Sequence, residues 1–154
     1  MSTLALANTD DLDRLMPMVE AFHADQQIKV DEAHRQKALT PLLEGSPHGA
    51  VYLIGPRRAP VGYIIVTFGW SVEFGGLEGF VDEFYIRPAV RGRGMGTGAL
   101  MSLMRALAGH GLKALHLEAK AGRDKVHRLY TRMGFRIRED YVLMTARVDR
   151  LHFD

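Results

Sequence analysis

The residues best suited to chemistry lie between Arg91 and Gly98, where the chain reads Arg-Gly-Arg-Gly-Met-Gly-Thr-Gly. Four glycines in seven residues let a backbone come close to a ligand, at an entropic cost that a plain turn has no reason to bear. Directly after them a helix is predicted, because Leu100, Leu103, Met104 and Leu107 recur at i, i+3, i+4 and i+7. The first turn of such a helix presents unbonded N–H groups and the positive end of its dipole, which together suit a phosphate. Thr97 adds a hydroxyl donor, and Arg91 and Arg93 add positive charge. A glycine turn with no ligand is the plain alternative. A dinucleotide fingerprint is another, since Gly94-Met95-Gly96-Thr97-Gly98-Ala99 satisfies G-x-G-x-x-A and Glu118 follows where a ribose-binding acid would sit. Its context argues against it. That fingerprint turns directly out of a buried apolar strand, whereas here the preceding strand carries Asp82 and Glu83 and is separated from the glycines by residues 87–91.

The elements that must position this loop follow from the patterning. A chain of 154 residues with 47% hydrophobic and 25% charged residues is expected to form one soluble domain, spanning 1–154, with one sizeable core. No run is apolar enough to span a bilayer, and residues 1–13 lack the pattern of a signal peptide, so a cytoplasmic location and no membrane partner are expected. A net charge of +2 is too weak to argue for nucleic acid. The absence of cysteine excludes disulfides, thiolate metal sites and a cysteine nucleophile. Residues 2–6 alternate weakly, as a short strand would. Asn8 or Thr9 is placed to cap a helix carrying Leu12, Leu15, Met16 and Val19, which Pro17 should distort. A second helix is expected over 31–43, with a thin apolar face and Pro41 inside it. Strands are predicted over 51–54, 61–68, 80–86, 112–117 and 141–148, with a last helix bearing Val126, Leu129, Tyr130 and Met133 and stopping at Gly134. The order β-α-α-β-β-β-α-β-α-β implies an α/β chain with a mixed sheet, antiparallel at first and then containing one βαβ unit.

Three segments then point to a family. Arg91, Gly94 and Gly96 match the R/Q-x-x-G-x-G/A signature of the GNAT superfamily of N-acetyltransferases. Residues 81–88, Val-Asp-Glu-Phe-Tyr-Ile-Arg-Pro, look like that family's preceding strand, and Leu129-Tyr130-Thr131-Arg132-Met133-Gly134-Phe135 resembles its L-Y-x-x-x-G-F segment. The element order agrees over nearly the whole chain. The resemblance implies a GNAT-like fold with a splayed central pair of parallel strands, and acetyl-CoA as acetyl donor. It implies that Phe84, Tyr85 and Ile86 contact the pantetheine arm through the main chain, while Arg91, Gly92, Arg93, Gly94, Met95, Gly96 and Thr97 hold the pyrophosphate. It also implies that Tyr130 is the general acid facing the CoA sulfur. Many members have an asparagine seven residues before that tyrosine. Here the position is Arg123. Family members are often homodimers.

Acetyl transfer requires a neutral amine, yet an alkylamine with a lysine-like pKa near 10.4 is almost wholly protonated at neutral pH. Some group must take its proton, and without cysteine the simplest route is direct attack by the amine in a ternary complex. Glu83, Asp82 and Glu73 are the candidate acceptors, in that order, provided burial or mutual repulsion raises the basicity of an ordinary carboxylate. Adjacent residues of a regular strand point to opposite faces, so only one of Asp82 and Glu83 is expected to face the acceptor. His116 is expected to be a packed sheet residue, and His110 and His127 solvated ones. No histidine pair has metal-ligand spacing, and no metal is expected. Trp70 and Phe74 are candidates to line an acceptor pocket or simply to cover the sheet. A non-catalytic acetyl-CoA sensor on the same fold is the alternative function.

Overall fold

The computed structural model describes residues 3–153. They divide into two compact units, the first ending at Glu118 and the second beginning at Ala119. The first unit contains β1 (Leu4–Leu6), α1 (Leu12–Asp25), α2 (Glu32–Leu43), β2 (Gly49–Ile54), β3 (Gly62–Ser71), β4 (Gly76–Ile86), α3 (Met95–Gly109) and β5 (Ala114–His116). The strands lie in chain order in one sheet. The first three pairs are antiparallel and β4–β5 is parallel, as the βαβ pattern requires.

Local sequence explains the helix boundaries. The Asn8 side chain accepts from the Asp10 amide while Asp11 accepts from the Asn8 amide, a reciprocal cap on the short turn that opens into α1. Asp31 caps α2 by accepting from the His34 amide. Both helices continue through their prolines, Pro17 and Pro41. The thin face of α2 buries only Arg35, Leu39 and Leu43, one residue per turn.

These helices cover one face of the sheet, where Leu15, Met18 and Val19 of α1 pack with Leu53, Tyr63 and Ile65. The alternate residues Ile54, Ile64 and Val66 are also fully buried, as are Leu100 and Leu103 of α3. A side chain on Gly96 would press on Phe84 and Ile86, which places α3 on that opposite face of β4. Helices on both faces explain why β3 is continuously buried over residues 62–66.

One irregularity in the sheet matters for function. Ile65 pairs with Glu83, but Val66 pairs with Val81, so Asp82 is an extra residue bulged out of the β3–β4 ladder. Ile65 faces α1 and α2, and its partner Glu83 shares that face. Counted from Val81, which shares the other face with Val66, Asp82 also points toward α1. The expectation that Asp82 and Glu83 point apart is therefore overturned, because the bulge interrupts the alternation on which it rested.

The second unit contains α4 (Asp124–Arg132). Gly134 adopts a left-handed φ of 106°, the Phe135 amide donates to the Tyr130 carbonyl at 3.0 Å and the Gly134 amide to that of Thr131 at 3.1 Å. This is a Schellman closure, and the Tyr130 and Phe135 rings, 5.7 Å apart and edge to face, supply its hydrophobic contact. The strand expected over 141–148 does not form among the described residues. Tyr141, Val142, Leu143 and Met144 are exposed instead. A run with strand propensity becomes a strand only where a neighbour offers a ladder, and propensity contains no information about that neighbour.

Candidate active site

The glycine loop leaves β4 through a short turn at Pro88–Val90 and enters α3 with Gly94 as its N-cap. Gly92 and Gly94 have φ of 79° and 78°, the left-handed region that side chains disfavour, and a Cβ at either would meet nothing within 4 Å. Gly96 differs, since a Cβ there would lie 3.2 Å from Phe84 Cζ and 3.3 Å from Ile86 Cγ1. Two glycines thus shape an open, exposed loop, while the third lets α3 settle on β4. The helix start has no side-chain hydrogen bond from its N-cap, and the amides of Gly96 and Thr97 come too early in the helix to find an acceptor within it. A diphosphate fits this arrangement, with the positive helix end toward it and open space before the glycines. Arg93 is exposed on the loop. Arg91 is also exposed, but its side chain is engaged by the protein. Its Nε donates to the Ile86 carbonyl at 2.7 Å, one Nη lies 3.6 Å from Asp25, and the guanidinium stands 5.6 Å from the Tyr85 ring centre.

On the α1 face of β4 the bulge gathers the acidic residues around a histidine. His23 Nε2 lies 2.6 Å from Glu83 Oε2, and the Tyr63 hydroxyl donates to Glu83 Oε1 at 2.8 Å. Tyr63 is completely buried and His23 is 8% exposed. Burial, reinforced by the neighbouring Glu83 carboxylate, pushes the Tyr63 hydroxyl far above the usual phenol range, so it remains a donor. Asp82 is exposed, yet desolvation holds its carboxyl above the usual aspartate range, with partial opposition from His23.

His23 is the residue of this cluster that sequence reasoning missed. It continues the buried α1 stripe of Leu15 and Val19 at four-residue steps, and a histidine on that stripe is the signal that would have found it. Its backbone is pinned by a second Schellman closure, in which the Ile28 amide donates to the His23 carbonyl at 2.8 Å and Gln27 takes φ of 58°. A side chain in that conformation costs about 1 kcal/mol or more. Gln27→Gly is therefore expected to stabilise the protein by about 1 kcal/mol, read as a higher melting temperature.

The remaining candidates lie elsewhere. Trp70 is 74% exposed near the tip of the β3–β4 hairpin, and Phe74 packs its ring against His116, which is hydrogen-bonded to Glu78 at 3.0 Å. In the second unit, Arg123 is the N-cap position of α4. Burial raises the Tyr130 hydroxyl above the usual phenol range, which keeps it protonated.

Comparisons with known proteins give the class. Residues 15–135 match the sequence model of the Acetyltransferase (GNAT) family, and the chain belongs to that family. No curated protein matches it. An integron cassette protein from the mobile metagenome of Cole Harbour Salt Marsh is 30% identical, with a TM-score of 0.81 over 94% of this chain and 90% of that one. A ribosomal-protein-alanine N-acetyltransferase from Brucella melitensis biovar Abortus 2308 shares the fold at 18% identity, with a TM-score of 0.73 over 96% of this chain and 99% of that one. So does an aminoglycoside acetyltransferase from an uncultured soil metagenomic sample, at 14% identity and a TM-score of 0.74 over 96% of each chain. Among the described residues, no helix is long and apolar enough to cross a membrane.

Proposed function

We propose that the protein is an N-acetyltransferase that moves the acetyl group of acetyl-CoA to a primary amine by direct attack in a ternary complex. The observation that carries this reading is the opening of α3: two left-handed glycines, open space in front of them and a helix start without a side-chain cap, one short turn after the strand that bears the carboxyl pair. The amides of residues 92–97 and Arg93 hold the pyrophosphate, and the main chain of Phe84, Tyr85 and Ile86 holds the pantetheine arm. When bound, acetyl-CoA supplies an activated acyl carbon and a thiolate leaving group. Asp82 and Glu83 attract the acceptor and free its nitrogen lone pair by removing a proton. Tyr130, kept protonated by burial, donates to the leaving sulfur. The amine acceptor agrees with the activities named for two structural neighbours, an alanine N-acetyltransferase and an aminoglycoside acetyltransferase, without choosing between them.

Gly94→Val tests the donor site. A β-branched side chain in the left-handed region is strained and projects into the open space, so acetyl-CoA affinity measured by calorimetry is expected to fall about tenfold or more in a folded protein. Gly96→Val is the poorer test, since it also crowds the side chains of Phe84 and Ile86. Unchanged affinity in folded Gly94→Val removes the loop from the donor site. Thiol release from acetyl-CoA is then followed with spermidine, kanamycin and an alanine-initiated peptide. Tight binding of acetyl-CoA with no release on any of them favours a sensor.

A further inference from the structure

We propose that His23 and Tyr63 are positioning residues that hold Glu83 as a fixed anion, so that the acceptor enters as an alkylammonium ion anchored by Glu83 and gives its proton to Asp82. This rests on the acetyl-transfer reading and assigns the two carboxyls different tasks. Glu83 is already engaged. Each of its oxygens faces one polar side chain, Tyr63 at 2.8 Å and His23 at 2.6 Å, from two different elements.

The direction of these bonds follows from what surrounds them. Tyr63 is a hydroxyl donor in a fully buried place. For His23, the ring nitrogen Nδ1 is buried and has no hydrogen-bond partner among the described residues. An orphaned buried N–H is rarer and costlier than an orphaned lone pair. The ring proton therefore belongs on Nε2, directed at Glu83. Both side chains then donate to the carboxylate and orient it. The contrast is Asp11, which is fully buried and ion-paired with Arg14 and Arg57. Neither Asp82 nor Glu83 is paired with lysine or arginine among the described residues. The other ionisable groups nearby are Tyr85, two residues along β4, and Asp25, two residues along α1 and linked to Arg91. The two carboxyls on the bulge thus share one histidine and no lysine or arginine among the described residues, and a cationic amine is the chemistry that complements them.

The proton balance is simple. An N–H bond of the ammonium breaks as an O–H bond forms on Asp82, and the nitrogen lone pair so released forms the C–N bond as the C–S bond breaks. Once bonded to the acyl carbon the nitrogen is cationic and loses a second N–H proton to water, while the departing thiolate gains a proton from Tyr130; Asp82 and Tyr130 then re-equilibrate with water.

Two measurements test this separately. The first uses protein labelled with 15N-histidine at pH 8, with no acceptor present. Long-range 15N–1H spectra are expected to show His23 as the Nε2–H tautomer, and an Nδ1–H tautomer overturns the arrangement around Glu83. The second uses the best acceptor among spermidine, kanamycin and the alanine-initiated peptide. His23→Leu is expected to raise the acceptor KM about tenfold or more with the acetyl-CoA KM within about twofold, and His23→Gln, which retains an N–H donor, to restore most of the loss. Glu83→Gln is expected to raise the acceptor KM and keep the acidic limb of the pH–rate profile. An acceptor KM unchanged in His23→Leu, or an acidic limb abolished by Glu83→Gln, overturns the division of tasks. An enzyme that acetylates none of the three amines overturns the acetyl-transfer reading instead, and leaves the tautomer result to stand by itself.

Discussion

Tyr130→Phe is expected to lower kcat by about 10²–10⁴-fold while leaving acetyl-CoA affinity within about twofold of wild type. The change keeps the ring and removes only the hydroxyl. The ring itself has a structural task, since it stacks edge to face on Phe135 across the Schellman closure of α4, and phenylalanine performs that task equally well. Melting temperature should therefore hardly move, and any large kinetic loss reports the proton. Burial raises the hydroxyl's pKa above the usual phenol value, so it is protonated at neutral pH and has a proton to give as negative charge develops on the sulfur. Single-turnover kinetics with saturating acceptor provide the check. A folded variant with kcat within about twofold of wild type makes Tyr130 a capping residue alone.

Asp82→Asn is expected to reduce kcat/KM for the acceptor by about 10²–10⁴-fold and to remove the acidic limb of the pH–rate profile. The sign follows from the shift. Desolvation raises the folded-state pKa of Asp82 above 3.8, so the carboxyl binds its proton more tightly in the folded chain than in the unfolded one. Activity that requires the ionised form is lost as pH falls through this raised value, above the ordinary aspartate range. Stability runs the opposite way. A raised pKa favours folding at low pH, and that contribution is lost as pH rises from the unfolded value through the folded one. At neutral pH the ionised Asp82 thus costs stability, and Asp82→Asn should melt no lower than wild type while being nearly inactive. A destabilised variant that retains the acidic limb would mean that Asp82 is a structural member of the bulge and that the proton goes elsewhere.

Much of this chain was legible before any coordinates, wherever the signal is local. The spacing Tyr130, Gly134, Phe135 encodes a helix end within six residues, because the glycine must take the left-handed conformation and the two aromatics must meet across it. The glycine loop is equally local, since left-handed φ at Gly92 and Gly94 and an uncapped helix start follow from residue type and order. The caps at Asn8 and Asp31 are of the same kind. Strands failed where the partner mattered: residues 141–148 have the right composition, but a strand is defined by its neighbour.

The sequence by itself determined that this protein has a phosphate-suited loop at the start of α3, a tyrosine on a capped helix and an acidic pair on the preceding strand. Only the tertiary structure decided which way that pair points and what it meets. The bulge at Asp82 exists because β3 and β4 fall out of step between Ile65 and Val66, a relation between two strands that neither strand's alternation reveals. His23 reaches Glu83 across 60 positions of sequence, and Tyr63 across 20, because α1 lies on the face of the sheet where β3 and β4 present them. Residue types and short spacings fix conformations that depend on a few torsion angles. Contacts between distant segments are fixed by how whole faces pack, and so the same two carboxyls that look equivalent in the chain have different surroundings in the fold.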